Sequence, residues 1–212
     1  MSTQTLTNPM QAIPQILQLL EQGEVVIIPT ATTYAFVCDG ENANAVARIH
    51  QLKRWSSPNP LAVFSTRDRL APLAHINADA DLLLQQFPAP LTLILPKTDK
   101  APAPVTAGYP SLLVCCPDEF VQKLVESTSL ILAGGSASLS TDLKATNARS
   151  AMQLFEGEVP LIVDGGPSKY ARGGTMVDCT LDRPTILKYG PISFDDLRPL
   201  LPNIELPSHM RK

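Results

Sequence analysis

The first quarter of the chain shows two patterns of hydrophobic positions, one with helical spacing and one continuous. The apolar residues between positions 13 and 20 recur at helical spacing, and Gly23 then supplies a stop, which predicts a first helix. Segment 24–28 is Glu24 followed by four apolar residues, and it ends at Pro29, a pattern typical of a buried strand. Residues 43–52 again place apolar side chains on one side, which predicts a second helix.

The later apolar runs are shorter, and they mix strands with helices without strict βαβ alternation. This order favours an α+β fold with a twisted mixed sheet over a Rossmann unit. We expect one domain over residues 11–200, a flexible N-terminus over 1–10 and a loose C-terminal tail over 201–212. The remaining strands are predicted at 61–64, 91–95, 112–115, 130–133, 161–163, 175–179 and 185–188, and the remaining helices at 78–87, 118–126 and 148–155.

Composition limits the class of protein and its partners. With 212 residues, 44% of them hydrophobic, the chain can bury the core of one globular domain. A net charge of −3 does not supply the basic face with which nucleic-acid-binding proteins hold phosphates. No signal core and no apolar stretch of the roughly 20 residues of a membrane span occurs, so we expect a cytoplasmic protein with no membrane partner. The four cysteines show neither CxxC nor zinc-ligand spacing, so we expect no metal site.

A threonine-rich loop follows the predicted strand 24–28. Segment 29–34 contains Thr32 and Tyr34, and its three hydroxyls and one phenol leave the carboxyl end of a strand together. Ligands bind at such strand ends in α/β folds, and hydroxyls there can contact a sugar or an amino acid. An ordinary strand-to-helix loop has the same composition, so the pattern alone leaves both interpretations open.

Two further segments combine features of anion sites. Lys53 and Arg54 end the second helix, where a cationic pair can face a phosphate or can simply be solvated. Segment 134–141 combines a Gly-Gly pair with Ser136 and Ser138, so backbone N–H groups and hydroxyls can approach an anion. It lacks the GK[ST] ending of a Walker A loop, and a flexible surface turn is an equal alternative.

Taken in order, six segments resemble the motifs of the YrdC domain family. The first is similar to the family pattern PTxTxYGLxCD, and the match runs over roughly residues 13–192. The resemblance implies a YrdC-like single domain with a concave nucleotide-type pocket. As they stand in the chain, the segments are EVVIIPTATTYAFVCDG, NAVARIHQLKRWSSPNPLAVF, FPAPLTLIL, SASLS, GGTMVDC and ILKYGPI.

The best-known activity of this family is threonylcarbamoyl-adenylate synthase, which supplies a tRNA modification. The resemblance implies that ATP with Mg²⁺, bicarbonate, and L-threonine or another carbamate acceptor meet in the pocket, and that pyrophosphate leaves. Such a reaction needs oriented reactants and cationic groups rather than a covalent nucleophile. The residues implied to contact nucleotide or substrate are Thr32, Tyr34, Lys53, Arg54, Asn59, Ser111, Ser136, Ser138, Thr146 and Lys188.

The chain departs from the family pattern at several polar positions. A charge-assisted hydrogen bond is typically worth about 1.5–3 kcal/mol, so losing three or four can lower affinity by orders of magnitude. Lys188 keeps the charge of the closing arginine but not its bidentate fork. The other replacements are Trp55 for the arginine of K-x-R, Phe64 for a histidine, Cys115 for an arginine, Ser138 for an asparagine and Gly174 for a serine.

Two classes of function remain open at this point. The first is an enzyme that forms a carbamoyl adenylate, with threonine or with a less polar acceptor that suits Trp55 and Phe64. The second is a non-catalytic nucleotide- or RNA-binding paralogue of the YciO type, because that branch of the family also departs from K-x-R and S-A-N. Some members have been linked to double-stranded RNA, against which a net charge of −3 argues weakly.

Overall fold

A single mixed sheet organises the computed structural model, which describes residues 2–140 and 142–207. Within those residues the sheet has ten strands, and it combines parallel with antiparallel neighbours. In chain order they are β1 (Gln4–Thr7), β2 (Val26–Ile28), β3 (Ala35–Asp39), β4 (Ala62–Phe64), β5 (Ala89–Pro96), β6 (Ser111–Cys116), β7 (Leu132–Ser136), β8 (Leu161–Asp164), β9 (Thr175–Asp178) and β10 (Thr185–Lys188). In space they follow the order β1-β8-β2-β3-β7-β4-β6-β5-β9-β10.

The helices begin at residues that satisfy their free N–H groups. The side chains of Asn42, Asn77 and Asn147 accept backbone N–H groups at three helix starts, as N-cap residues do. The helices are α1 (Pro9–Glu21), α2 (Ala43–Leu52), α3 (Ala78–Leu84), α4 (Ala103–Thr106), α5 (Glu119–Glu126), α6 (Ala148–Phe155) and α7 (Phe194–Leu197), with a 3-10 turn at Arg67–Arg69. No helix of the described residues is long and apolar enough to cross a bilayer.

Two apolar layers cover the two faces of the sheet. Successive residues of a strand point to opposite faces, so the all-apolar β2 sends Ile27 into one layer and Val26 and Ile28 into the other. Helices α2 and α6 pack on the Ile27 side, where Phe36 meets Phe155 edge to face at 4.8 Å. Helices α1 and α5 pack on the opposite side.

The structure confirms the predicted mixed sheet and most of its elements. The bounds of α2, α6 and β10 coincide with those expected, and the other predicted elements form with at least one end shifted by one to four residues. Four elements were not predicted, namely β1, β3, α4 and α7. The expected loop 134–141 is wrong in its first part, because Gly134, Gly135 and Ser136 belong to β7 and pair with β3; Thr141 lies outside the described residues.

Both ends of the described chain are more ordered than the sequence predicts. Residues 1–10 were expected to be flexible, yet β1 pairs in parallel with β8 and α1 already begins at Pro9; Met1 is outside the described residues. The tail expected over 201–212 packs as far as the structure describes it, with Leu201 and Ile204 buried. Glu205 exchanges backbone hydrogen bonds with β10 and its flank. Long-range pairing therefore orders segments whose local sequence is polar.

Candidate active site

A concave cavity of about 310 Å³ opens over seven consecutive strands of the sheet, from β3 to β10. Residues paired across neighbouring strands point to the same face of the sheet. Ala62 pairs with Leu113, and Thr92 pairs with Met176, so these four lining residues form a floor on one face. The walls come from the threonine loop after β2 and from the segment after α2. The lining residues are Thr30, Thr32, Thr33, Ala35, Lys53, Trp55, Pro60, Leu61, Ala62, Phe64, Leu91, Thr92, Leu113, Cys115, Pro117, Gly134, Gly135, Ser136, Ser138, Gly173, Gly174, Met176 and Lys188.

Lys53 is the buried cation of this cavity, only 6% exposed at the end of α2. Its Nζ donates to the carbonyl oxygen of Ser136 at 2.7 Å and to Oγ of Ser138 at 3.2 Å, and it lies 4.9 Å from the ring centre of Trp55. No carboxylate of the described residues forms an ion pair with it. Burial disfavours the charged form and lowers the pKa of Lys53 to about 8. The ammonium group is thus desolvated and lacks a counter-charge.

The threonine loop holds its shape through its own hydroxyls. Thr30 Oγ1 donates to the carbonyl oxygen of Thr33 at 2.6 Å and accepts the backbone N–H groups of Thr32 and Thr33 at 3.2 Å each. Thr33 Oγ1 donates to Ser136 Oγ at 3.0 Å, which connects the loop to β7. Thr32 is half-buried and lines the cavity, with its Oγ1 2.9 Å from that of Thr30. The loop therefore presents an ordered set of hydroxyls to the cavity.

The glycine pair of β7 serves two different purposes. A Cβ added to Gly134 would lie 1.8 Å from the carbonyl oxygen of Phe36, so only glycine allows the close approach of β7 to β3. A Cβ added to Gly135 would meet no atom within 4 Å, although the residue lines the cavity. Gly135 thus leaves space that a ligand can occupy.

Five of the ten residues implied by the family resemblance come together on this cavity. The charged side chains among the described lining residues are all cationic, because they comprise two lysines and no Asp or Glu. Lys188 is exposed at the rim, with Nζ 3.4 Å from where a Cβ of Gly173 would stand. Groups of three or more His, Cys, Asp or Glu that could hold a metal ion are absent from the described part of the chain. The five residues are Thr32, Lys53, Ser136, Ser138 and Lys188.

The other five implied residues lie outside the lining. Arg54 is exposed, adopts a left-handed φ of 53° and does not line the cavity. The side-chain amide of Asn59 donates to the carbonyl oxygen of Ser57, and the backbone carbonyl oxygen of Asn59 lies 3.0 Å from Nε2 of His50. Ser111 begins β6 at the end remote from Cys115.

Tyr34 and Thr146 have structural partners instead. The Tyr34 hydroxyl donates to the carbonyl oxygen of Gly166 at 2.9 Å and accepts the N–H of Gly165 at 3.1 Å. The side chain is fully buried, and this burial raises the pKa of Tyr34 to about 12. The backbone of Thr146 accepts the N–H of Ser168 and donates to Ser150 Oγ. In the segment that leads into β3, the Thr33 side chain faces Ser136, while the Tyr34 side chain packs into the core.

Several cavity residues were recognised from the sequence only as departures from the family pattern. Trp55, Phe64, Cys115 and Gly174 all line the cavity, so the departures are concentrated at one place. Met176 also lines the cavity and was not identified from the sequence. Side chains alternate along a strand, so Met176, which follows the buried Thr175, is expected on the face opposite to that of Thr175. The cavity therefore combines a hydroxyl-rich wall, two cations and an apolar wall.

Comparison with known proteins places this arrangement in a family. A family model described as telomere recombination (Sua5/YciO/YrdC) matches residues 18–190. A threonylcarbamoyl-AMP synthase of Bacillus subtilis (strain 168) is 33% identical over 199 residues, which cover 89% of this chain and 57% of that protein. The chain thus spans little more than half the length of the curated relatives that it matches.

Solved structures share the fold. The crystal structure of P. abyssi Sua5 complexed with L-threonine superposes with a TM-score of 0.89 at 27% identity, over 98% of this chain and 63% of that chain. The crystal structure of E. coli YciO superposes with a TM-score of 0.79 at 21% identity, over 95% and 100% of the two chains, and that likeness concerns the fold alone. Since the family model covers most of its length, the chain belongs to the Sua5/YciO/YrdC family.

Proposed function

We propose that this chain forms threonylcarbamoyl-AMP from ATP, bicarbonate and L-threonine, releases pyrophosphate, and acts in the cytoplasm for tRNA modification. The observation that carries the proposal is the buried Lys53, which reaches the cavity and forms no ion pair with a carboxylate of the residues that the structure describes. Relatives named threonylcarbamoyl-AMP synthase support the reaction, and the Sua5 complex with L-threonine supports the acceptor.

In the proposed reaction the residues of this chain orient and neutralise rather than react. A carbamate oxygen of N-carboxylated threonine attacks the α-phosphorus of ATP, the bond to the β-phosphate oxygen breaks, and pyrophosphate leaves with the electron pair. Lys53 pairs with one anionic group, Lys188 adds charge at the rim, and the hydroxyl of Thr32 binds an oxygen of the substrates. Electrostatic pairing is stronger in such a desolvated site than in water.

Mg²⁺ enters this proposal only with the nucleotide. The cavity lining contains no Asp or Glu, so its side chains do not fit the oxygen-rich shell of a resident magnesium ion. Phosphate oxygens and water supply that shell when MgATP binds as substrate. The three-residue apolar patch of Trp55, Phe64 and Met176 offers a surface for an uncharged part of a substrate.

A second candidate is a nucleotide-binding paralogue that does not catalyse the reaction. The specific observation in its favour is that Trp55, Phe64 and Cys115 stand on the cavity wall where the family pattern has charged or polar groups. In this alternative ATP binds, but no cation orients the acceptor. RNA is a further partner of this candidate, although the net charge of −3 argues weakly against strong RNA affinity.

The test incubates the purified chain with MgATP and bicarbonate plus one acceptor at a time. L-Threonine is compared with L-valine, which has the same shape but lacks the hydroxyl, and both are compared with reactions depleted of bicarbonate. Pyrophosphate release and mass spectrometry of the carbamoyl adenylate report the reaction, while calorimetry reports ATP binding. Product with threonine supports the synthase. Product with valine alone supports a less polar acceptor, binding without product supports the paralogue, and neither signal refutes both.

A further inference from the structure

Asp118 lies behind the cavity, at the junction of β6 and α5. It is the N-cap residue of α5, where its Oδ1 accepts the N–H of Val121 at 2.9 Å. Its other oxygen, Oδ2, accepts the N–H of Ala31 in the threonine loop. One carboxylate therefore connects two segments that are 87 residues apart in the chain.

Ala31 occupies the outer side of the threonine loop. Its neighbours Thr30 and Thr32 line the cavity, whereas Ala31 itself lines shallow surface concavities on the other side, which Asp118 also lines. The carbonyl oxygen of Ala31 accepts the N–H of Tyr170 at 2.9 Å. Both backbone polar groups of Ala31 thus form hydrogen bonds with residues on the side of the loop away from the cavity. Of the two bonds, the one from the Ala31 N–H to Asp118 has a carboxylate acceptor.

The environment of Asp118 makes this connection selective for a carboxylate. Burial raises the pKa of Asp118, while the backbone N–H groups of Val121, Ala31 and Phe120 act in the opposite direction. Two N–H groups point at two different oxygens, and only an ionised carboxylate can accept at both without a conflicting proton. Asparagine preserves one acceptor oxygen and places an N–H donor at the other position.

We propose that Asp118 is a positioning residue, which fixes the threonine loop from behind so that the Thr32 hydroxyl meets the ligand in the cavity. The inference rests on the proposed use of the cavity as a nucleotide site, but not on which acceptor is carbamoylated. Asp118 does not line the cavity and touches no reacting atom in this arrangement. It acts only through the backbone of Ala31.

The first test measures the loop without any ligand. Amide hydrogen exchange is followed in segment 30–34 and in α5 for wild type, Asp118→Asn and Asp118→Ser. Both variants keep an N-cap oxygen for α5, because Asn and Ser are good N-cap residues, but neither can accept the N–H of Ala31 as the carboxylate does. We expect exchange in segment 30–34 to rise about tenfold, the equivalent of one charge-assisted hydrogen bond, with exchange in α5 unchanged. Unchanged exchange in segment 30–34 overturns the proposal.

The second test asks whether the loop positions the ligand. Calorimetry with MgATP is expected to show Kd raised about tenfold in Asp118→Asn, and the same substitution in a Thr32→Val background is expected to change Kd by less than about twofold. Asn77→Ala removes the N-cap of α3, away from the cavity, and is the control for cap loss. A full tenfold effect in the Thr32→Val background overturns the proposal, as does a loosened loop with unchanged Kd. If wild type does not bind MgATP, the proposed function fails and hydrogen exchange alone decides whether Asp118 holds the loop.

Discussion

Substitution of Lys53 by Met tests the physical basis of the site most directly. Met keeps an unbranched side chain of similar length and removes the charge and the donors. In the folded chain, burial lowers the pKa of Lys53 from 10.5 to about 8. At 1.36 kcal/mol per pKa unit, the fold therefore disfavours the ammonium form by about 3 kcal/mol.

The sign of this effect predicts how stability depends on pH. Because the folded pKa lies below the unfolded one, the unfolded chain binds the proton more strongly, and the stability cost is fully present below pH 8. The free energy of unfolding should then rise with pH between about 8 and about 10.5. Lys53→Met should raise it at pH 7 by about 1–2 kcal/mol, since losing the hydrogen bonds to Ser136 and Ser138 offsets part of the gain. Urea unfolding of both proteins at pH 7, 8, 9 and 10 measures these quantities.

The same residue should bind protons when an anionic ligand binds. At pH 8 about half of the free molecules carry a neutral Lys53, and a bound phosphate raises its pKa, so MgATP binding should take up roughly 0.5 proton. Calorimetry in two buffers of different ionisation enthalpy measures this uptake. The affinity should fall about tenfold from pH 7 to pH 9, following the charged fraction.

Exposed Lys188 provides the matched control, because Lys188→Met should weaken MgATP binding yet preserve the proton uptake at pH 8. Lys53→Met should abolish both the uptake and the pH dependence over this range. Wild-type MgATP binding that takes up no proton, together with equal affinity in Lys53→Met, would refute the assignment of Lys53 as the anion-binding group.

Three further predictions follow from the geometry. Gly135→Ala should keep its free energy of unfolding within about 1 kcal/mol of wild type but weaken MgATP binding at least about tenfold, because the added methyl enters open cavity space. Gly134→Ala should lose about 3 kcal/mol of unfolding free energy or fail to fold, because its methyl meets a backbone carbonyl of β3. Arg69→Met should lose about 2–3 kcal/mol in urea unfolding without affecting MgATP affinity, since the guanidinium donates to three carbonyl oxygens at and beyond the end of α5. The fluorescence of Trp55, the chain's single tryptophan, should change on MgATP addition in wild type and much less in Lys53→Met, whereas an identical change in both would separate the ring from the anion site.

The sequence predicted elements best where local signals agree. The α2 helix combines a one-sided apolar pattern with an Asn at its start and cations at its end, and its bounds were found as expected. Strand β3 was missed because a short apolar run does not reveal its state, which here depends on pairing with β2 and β7. The polar β1 has even less local preference, and its pairing with β8, 157 residues away, makes it a strand.

Residues of the cavity could be predicted from the sequence where they lie within one short, continuous motif. Lys53 and Thr32 were identified because each lies in a short segment with recognisable chemistry, and the structure brings them to one cavity. Ser111 was implied by the family resemblance alone and lies in none of the six matched segments; the cavity uses the other end of β6, because register between strands decides which residues of a strand share a site. The connection from Asp118 to Ala31 joins distant segments, and no local pattern contains it.

The departures from the family pattern and the retained lysine act on ligand binding in opposite directions. Trp55, Phe64 and Cys115 remove hydrogen-bonding groups, which weakens the hold on a substrate with several charges. The Trp55 ring also lies beside Lys53 and helps to exclude water from its ammonium group, which strengthens the pairing of Lys53 with an anionic group that reaches it. A ligand with one phosphate against Lys53 and an uncharged part on Trp55 gains from both effects, whereas an acceptor whose carboxylate also needs a cation gains from neither. Valine carries the same carboxylate as threonine, so any gain for valine has to come from the apolar wall. If the chain catalyses the reaction, Trp55 and Phe64 should let valine compete with threonine far better than the difference of one hydroxyl allows in a polar site.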